Sequence, residues 1–283
     1  MLSTRVATAF LLLCGLAAAL QWAEGRGWLY LVSGIAACGA WEWQGLADRA
    51  RAGARASVPN QLVAGAIVLT AVLVAGFTLL DETGVPRPAT IAWLSGIYAL
   101  AALFWIGVVP WCLKHHDRAW PRPWAELSGI VVLLPAALAL AHLRALGAIT
   151  LLLLLAGIWI ADTAAYFVGR ALGRHKLAPA ISPGKTWEGA IGAAMAVSLY
   201  GVLLLADGPV AMRVPLPVQI VGLIALAAVS IVGDLYESLL KRHAHVKDSG
   251  KLLPGHGGVL DRIDSLTATL PLLGLMVLSF GKA

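Results

Sequence analysis

Residues 146–168 read LGAITLLLLLAGIWIADTAAYFV, an apolar run in which Asp162 is the one charged residue. A helix of ~20 mostly apolar residues spans the hydrocarbon core of a bilayer. We therefore predict a membrane-spanning helix here. A charge at membrane depth costs ~3 kcal/mol, so Asp162 is expected to face a charged partner, a polar cavity or an ion.

The rest of the chain shares this composition. Of its 283 residues, 59% are hydrophobic and 13% are charged, and the mean hydropathy is +0.81. Soluble domains carry about 25% charged residues, so a soluble enzyme, a disordered chain and a disulfide-stapled secreted domain are excluded. We predict an all-α, polytopic integral membrane protein. Nine spans are expected, at about 6–22, 28–47, 61–80, 90–113, 127–142, 146–168, 188–206, 216–237 and 263–280.

These spans are predicted to form a single integral membrane domain over residues 1–283. Residues 1–145 supply its N-terminal helices, and residues 146–283 form the half that carries the motifs. The first span is expected to remain as a helix rather than to be cleaved as a signal peptide, because only Arg5 precedes it and eight hydrophobic spans follow. The cysteines lack metal-binding spacing and are expected to be buried apolar residues: Cys14, Cys38 and Cys112.

Basic residues are distributed unevenly between the two sides of the predicted membrane. Of the 21 Lys and Arg residues, 16 fall on the side of the N-terminus and the even-numbered loops. Cytoplasmic loops carry such an excess, so this side is predicted to be cytoplasmic. The net charge of +6 fits contact with anionic lipid, and no nucleic-acid partner is expected.

Four acidic residues lie near the predicted cytoplasmic ends of the spans: Asp162, Asp234, Glu237 and Asp264. A single carboxylate of this kind is explained by a salt bridge to a nearby Lys or Arg. Four on the same membrane face favour a polar cavity or an ion-binding site instead.

The eighth loop and its flanks read SLLKRHAHVKDSGKLLPGHGGVLDRID from Ser238 to Asp264. The basic residues of this stretch are cationic donors suited to several phosphates. Its glycines, Gly255, Gly257 and Gly258, allow close backbone approach to a ligand and expose amides. A solvated loop that binds lipid headgroups explains the basic residues, but it does not explain the glycines or the neighbouring acids.

Three aspartates around this loop indicate a Mg²⁺ site. Asp261 and Asp264 are three residues apart at a helix start and so share one face, while Asp234 lies near the end of the preceding span. Mg²⁺ prefers oxygen ligands and typically joins one or two carboxylates to substrate phosphates.

The sixth loop contains SPGKTWEG from Ser182 to Gly189. A P-loop is excluded, because Pro179 stands where that motif needs glycine and no strand precedes it. The segment is predicted to be a tight turn that presents Lys185 and the hydroxyls of Ser182 and Thr186 at a helix start, where anions are favoured. An ordinary helix cap at Ser182 or Thr186 is the alternative.

These motifs resemble those of the phosphatidate cytidylyltransferase family, whose members are also called CDP-diacylglycerol synthases. Ser238–Asp264 matches every fixed position of the family signature over 27 residues, and three further motifs are similar: Asp162–Tyr166, Ser182–Gly189 and Gly233–Ser238. The resemblance covers roughly residues 155–275. One departure is Gly184, where many relatives have Lys.

The resemblance implies a reaction, CTP + phosphatidic acid → CDP-diacylglycerol + pyrophosphate, which requires Mg²⁺. It also implies an all-helical membrane fold, a homodimer and an active site open to the cytoplasm. The compact size and the signature suggest a bacterial inner membrane protein.

By the same resemblance, Asp234 and Asp261 are the first candidates for metal ligands and Asp264 is the next, with room for a second cation. The residues expected at the reacting phosphates are Ser238, Lys241, Arg242, His256 and Asp261. The residues expected to contact the nucleotide or its phosphates are Ser182, Lys185, Thr186, Lys247, Lys251, Gly257 and Gly258. Which basic residue holds which phosphate stays open.

Three other classes compete with this interpretation. A transporter would place polar residues near mid-bilayer, whereas here they cluster at one face. A lipid kinase would also use CTP and Mg²⁺, but this class does not explain the intact signature. A non-catalytic lipid-binding protein does not explain the retained acidic residues.

Overall fold

A computed structural model describes residues 2–51, 56–118, 122–207 and 215–281. The described chain is almost entirely helical. Its helices are α1 (Leu2–Trp22), α2 (Gly25–Arg49), α3 (Val58–Leu79), α4 (Ile91–Leu103), α5 (Val109–Lys114), α6 (Arg122–Arg144), α7 (Ala148–Leu172), α8 (Trp187–Asp207), α9 (Leu216–His243) and α10 (Leu260–Phe280). A 3₁₀ turn (Pro88–Thr90) precedes α4, a π turn (Phe104–Val108) joins α4 to α5, and two short strands, β1 (Lys176–Ala178) and β2 (Ser182–Thr186), precede α8.

The predicted fold class, an all-α polytopic membrane protein, is confirmed. All nine predicted spans are helical, and within the described part of the chain eight helical segments are long and apolar enough to cross a membrane. The remaining segment, α2, carries buried polar side chains in its C-terminal half, namely Glu42, Gln44 and Asp48. These side chains lower its hydropathy and face other helices rather than lipid.

The main apolar core draws residues from both halves of the chain. Helix α10 packs against α9, α6 and α4, and α2 packs against α3 and α6. Tyr236 on α9 is 1% exposed and contacts the rings of Trp43, Phe104 and Trp105 at centroid distances of 5.7 to 6.0 Å. This aromatic contact fixes α9 against the N-terminal half, directly beside Glu237 and the polar end of the helix.

The sixth loop forms a small antiparallel hairpin rather than a turn alone. Lys176 pairs with Thr186 and Ala178 with Ser182. Between the strands, Ile181 is buried with Cys112, Leu235 and Leu239. The hairpin is thereby held against α5 and α9.

The prediction for the cysteines is wrong at two positions. Cys112 is buried, but Cys14 and Cys38 are exposed. In a membrane protein an apolar side chain gains as much from facing lipid as from facing the core, so an apolar run does not by itself predict burial inside the protein.

Candidate active site

Acidic and lysine side chains from four elements, α7, β2, α9 and α10, meet at one end of the helical bundle. We call this group the acid–lysine cluster; it comprises Asp162, Lys185, Asp234, Glu237, Lys241, Asp261 and Asp264. On α9, Asp234, Glu237 and Lys241 are spaced three and four residues apart and so share one face. That face is turned toward the start of α10.

Close packing of α9 on α10 brings this face to the acids of α10. A Cβ atom added at Gly233 would lie 2.9 Å from the carbonyl oxygen of Asp264 and 2.8 Å from the Cβ of Ala268. A larger residue at position 233 would push the two helices apart. The glycine therefore sets the distance between Asp234 and Asp264, whose charges repel each other.

Two lysines form the short ion pairs of the cluster. Lys241 Nζ lies 2.7 Å from Asp261 Oδ1 and 3.4 Å from Glu237 Oε1, with 15% of its side chain exposed. Lys185 Nζ lies 2.7 Å from Asp234 Oδ2 and donates to the carbonyl oxygen of Ile231. Both ammonium groups thus sit among carboxylates inside the cluster.

Negative charge exceeds positive charge within the cluster. Five carboxylates face two lysines, and Asp162 relies on a hydrogen bond from Ser230 Oγ at 2.9 Å. Glu237 is buried, and its contacts are the 3.4 Å ion pair from its Oε1 to Lys241 and the close approach of the Asp264 carboxylate. Two lysines do not balance five carboxylates in a partly buried cluster, so the site is suited to a further cation.

The predicted metal ligands are not gathered into one three-carboxylate group. Within the described ranges, no three His, Cys, Asp or Glu side chains lie close enough to hold an ion by themselves. The physical reason is that Lys185 pairs with Asp234 while Lys241 pairs with Asp261. Mg²⁺ commonly takes only one or two carboxylates and completes its shell with phosphate oxygens and water, so a group of three is not required.

Asp261 also organises the signature loop, which we define as residues 244–259. Its Oδ2 accepts three hydrogen bonds, from Ser249 N (2.9 Å), Ser249 Oγ (3.0 Å) and Gly258 N (2.8 Å). Gly257 has φ +82°, and a Cβ there would lie 2.7 Å from Asp261 Oδ2. The Gly258 amide, predicted to face a phosphate, is therefore used inside the protein instead.

The predicted phosphate-binding residues fall into two groups. Lys185 and Lys241 belong to the acid–lysine cluster, with Ser238 Oγ donating to Asp234 Oδ1 at 3.3 Å. Arg242 is turned toward the hairpin, where its Nε donates to the carbonyl oxygen of Ile181 at 3.1 Å.

The second group lines an open pocket on the far side of the signature loop. It contains Lys247, Lys251, His256 and Gly257, together with Arg262 and, from the start of α1, Arg5. Arg262 Nη2 donates to the carbonyl oxygen of His256 at 2.9 Å. The sequence did not indicate that Arg5 would join these residues.

Thr186 has the role of a helix cap. Its buried hydroxyl accepts a hydrogen bond from the amide of Gly189 at 3.1 Å, at the start of α8. Thr186 is therefore an ordinary helix cap, which was the alternative, and the Thr186 hydroxyl is used within the protein. Ser182 begins β2 and is half-buried, and Lys185 is the side chain that the hairpin presents to α9.

One buried acid at the signature loop was missed by sequence reasoning. Glu42 on α2 is 2% exposed, and its Oε2 accepts hydrogen bonds from Leu260 N at 2.9 Å and Ser249 Oγ at 3.0 Å. A signal existed, because an acid in the middle of an apolar segment calls for a partner. The sequence did not show that this partner lies more than 200 residues away.

Comparisons with known proteins show the family of the chain. A model of the cytidylyltransferase family matches residues 3–280. A phosphatidate cytidylyltransferase of Pseudomonas aeruginosa is 35% identical over 288 residues, which cover 99% of this chain and 98% of that protein. Proteins of the same name from Brucella suis and Haemophilus influenzae are 46% identical over 170 residues and 47% identical over 116 residues. These matches cover 58% and 40% of this chain, and 59% and 40% of the respective relatives.

Proposed function

The chain belongs to the cytidylyltransferase family, and on that basis we propose how the acid–lysine cluster performs its reaction. The protein is a phosphatidate cytidylyltransferase: it transfers CMP from CTP to phosphatidic acid and releases pyrophosphate, which yields CDP-diacylglycerol for phospholipid synthesis. The observation that supports the assignment of residues is the pairing of two half-buried lysines with Asp234 on α9 and Asp261 on α10.

Lys185 and Lys241 are the groups best suited to exchange a carboxylate partner for phosphate oxygens. Each ammonium lies 2.7 Å from one carboxylate oxygen. The phosphate groups of an incoming triphosphate carry several charges, so they would be stronger acceptors for both lysines than a single carboxylate is. The exchange would free Asp234 Oδ2 and Asp261 Oδ1 at the same time as the substrate arrives.

Mg²⁺ fits the acids that this exchange releases. Asp234 and Asp264 would hold the ion, Asp261 Oδ1 would become available to it, and the Glu237 carboxyl group lies nearby. When bound, the ion would neutralise charge on the CTP phosphates. A second cation is compatible with the number of carboxylates in the cluster.

The protein's own contribution to catalysis is positioning and charge neutralisation. A phosphate oxygen of phosphatidic acid attacks the α-phosphorus of CTP in line, the bond to the β-phosphate bridging oxygen breaks, and pyrophosphate leaves. The lipid phosphate is already an anion at pH 7, so no general base is needed. Lys185 and Lys241 would orient the phosphates and stabilise charge on the leaving group.

The protein is a multi-pass membrane protein with bacterial relatives. We place it in a bacterial inner membrane, with the acid–lysine cluster facing the cytoplasm, because the uneven distribution of basic residues supports that orientation. The protein is further proposed to act as a homodimer, as the family resemblance implies.

The assay that tests these roles compares matched variants. Membranes containing the wild-type chain should form CDP-diacylglycerol and pyrophosphate only when CTP, phosphatidic acid and Mg²⁺ are all present. Asp234→Asn should remove this activity, whereas Glu82→Gln, at a side chain that is 85% exposed in the loop after α3, should retain it. Equal activity of the two variants would exclude Asp234 from the site, and a phosphorylated lipid alcohol as product would favour the kinase alternative.

A further inference from the structure

The signature loop is attached to the N-terminal half of the protein through one buried carboxylate. Glu42 Oε2 accepts from the amide of Leu260, the first residue of α10, and from the hydroxyl of Ser249 within the loop. Both bonds link the loop to α2, which otherwise has no part in the cluster. A carboxylate at a helix N-terminus is favoured by the free amides and the helix dipole.

Ser249 links this carboxylate to that of Asp261. Its hydroxyl lies 3.0 Å from Glu42 Oε2 and 3.0 Å from Asp261 Oδ2. A hydroxyl has one proton and so donates fully to one of these oxygens at a time. Glu42 and Asp261 therefore compete for one donor, and a change at either acid alters the hydrogen bonding of the other.

Two glycines of the signature loop allow its backbone to pass close to Glu42. A Cβ atom at Gly250 would collide with Glu42 Oε1, and one at Gly258 would collide with both Ser249 Oγ and Glu42 Oε2. Neither glycine has a positive φ, so close approach rather than backbone conformation explains them. The loop thus docks on the Glu42 carboxylate from two sides.

We propose that Glu42 is a positioning residue, which fixes the backbone before Asp261 and so aims the Asp261 carboxylate at Lys241, the lysine proposed to contact the substrate phosphates. This inference rests on the proposed function for its catalytic consequence, but its structural part stands on the contacts above. Burying a carboxylate in a membrane helix is costly, and a helix cap alone would be met by a neutral residue next to α10. A carboxylate supplied from α2 instead couples the two halves of the protein at the site.

The test compares three variants of the full-length chain, purified in lipid nanodiscs. Glu42→Leu removes both acceptors at similar volume, and Glu42→Gln keeps an acceptor oxygen. Asp48→Leu is the matched control, because Asp48 is also buried on α2 and accepts two hydrogen bonds, from Ser57 N and Gln44 Nε2, both at 2.9 Å. Asp48 has no hydrogen bond to the loop among the described residues.

The first measurement is independent of activity. Hydrogen–deuterium exchange of the backbone amides of residues 249–261 should rise by about tenfold in Glu42→Leu, since a hydrogen bond to a charged group is lost. It should stay near the wild-type rate in Glu42→Gln and Asp48→Leu. If Glu42→Leu does not fold, Gly250→Ala, whose Cβ would meet the Glu42 carboxylate first, should raise exchange over the same segment.

The second measurement separates positioning from stability. Per mole of folded protein, Glu42→Leu should lower kcat by about tenfold or more, with a smaller change in KM for CTP, because misplaced groups chiefly affect the transition state. Glu42→Gln should restore most of kcat.

The outcomes are distinct. Unchanged exchange in Glu42→Leu overturns the structural part of the inference, and raised exchange with wild-type kcat overturns the positioning role. A wild-type chain that is inactive with CTP and phosphatidic acid overturns the proposed function, while the exchange measurement still decides whether Glu42 fixes the loop.

Discussion

Lys241 Nζ and Asp261 Oδ1 are 2.7 Å apart, which joins the end of α9 to the first turn of α10 across the signature loop. The same aspartate holds the loop through its other oxygen. One side chain therefore connects Lys241, the loop and the other carboxylates of the cluster. Changes at Asp261 are expected to have a larger effect on catalysis than on the fold of the apolar bundle.

Asp261→Asn is expected to lower CDP-diacylglycerol formation by about 100-fold or more, because an amide binds neither lysine nor a metal ion as a carboxylate does. The helices should still form, since Asp261 lies outside the apolar core. The measurement is product formation from labelled CTP, normalised to folded protein from size-exclusion chromatography. Activity near the wild-type level would remove Asp261 from the reacting site.

Lys185→Met is expected to raise KM for CTP or for phosphatidic acid and to lower kcat, because it removes a cation from the phosphates and leaves Asp234 unpaired. Lys176→Met is the matched control: Lys176 is an exposed residue of the same hairpin, with no ion pair among the described residues. Steady-state kinetics with each substrate varied in turn measure the effect. If the two variants have the same kinetics, Lys185 does not contact phosphate.

Asp264→Asn is expected to raise the Mg²⁺ concentration for half-maximal activity by about tenfold, since one of two carboxylate ligands becomes neutral. Removal of Mg²⁺ with a chelator should abolish activity in the wild-type chain, and added Mg²⁺ should restore it. Glu82→Gln should keep the wild-type Mg²⁺ dependence. An Asp264→Asn variant with an unchanged Mg²⁺ dependence would contradict the proposed ligand role.

Gly257→Ala and Gly255→Ala test whether the loop glycines serve Asp261. Both residues have positive φ, +82° and +75°, so alanine strains the backbone to a similar extent, by about 1 to 3 kcal/mol at each. A Cβ at Gly257 meets Asp261 Oδ2 at 2.7 Å, whereas one at Gly255 meets the side chain of Arg5 at 3.2 Å. We expect similar losses of thermal stability, measured by unfolding in nanodiscs, but a far greater loss of activity in Gly257→Ala. Equal loss of activity would show that backbone strain alone explains both.

The sequence was sufficient for the membrane fold because spans of apolar residues are local features. It also placed Asp234, Lys241, Asp261 and Asp264 in one region, since helical spacing puts residues three or four apart on one face. The pairing of Lys185 with Asp234 could not be predicted, because it depends on a hairpin. The second strand of that hairpin, SPGKT, has a sequence with little strand propensity.

Long-range contacts account for the other differences. Glu42 and Arg5 reach the signature loop from α2 and α1, and only the packing of the two halves brings them there. Thr186 and Gly258 are turned inward because local amides and carboxylates satisfy them first. The motifs thus indicated the correct region of the fold. They did not show whether a given side chain or amide contacts a ligand or makes a hydrogen bond within the protein.

The most direct test of the central claim follows the label of CTP into lipid. The purified chain in nanodiscs with phosphatidic acid and Mg²⁺ is incubated in parallel with CTP labelled at the α-phosphate and with CTP labelled at the γ-phosphate. CMP transfer predicts that the α-label enters CDP-diacylglycerol while the γ-label leaves entirely as pyrophosphate. Label from the γ-phosphate in lipid, or no labelled lipid from either form, would contradict it.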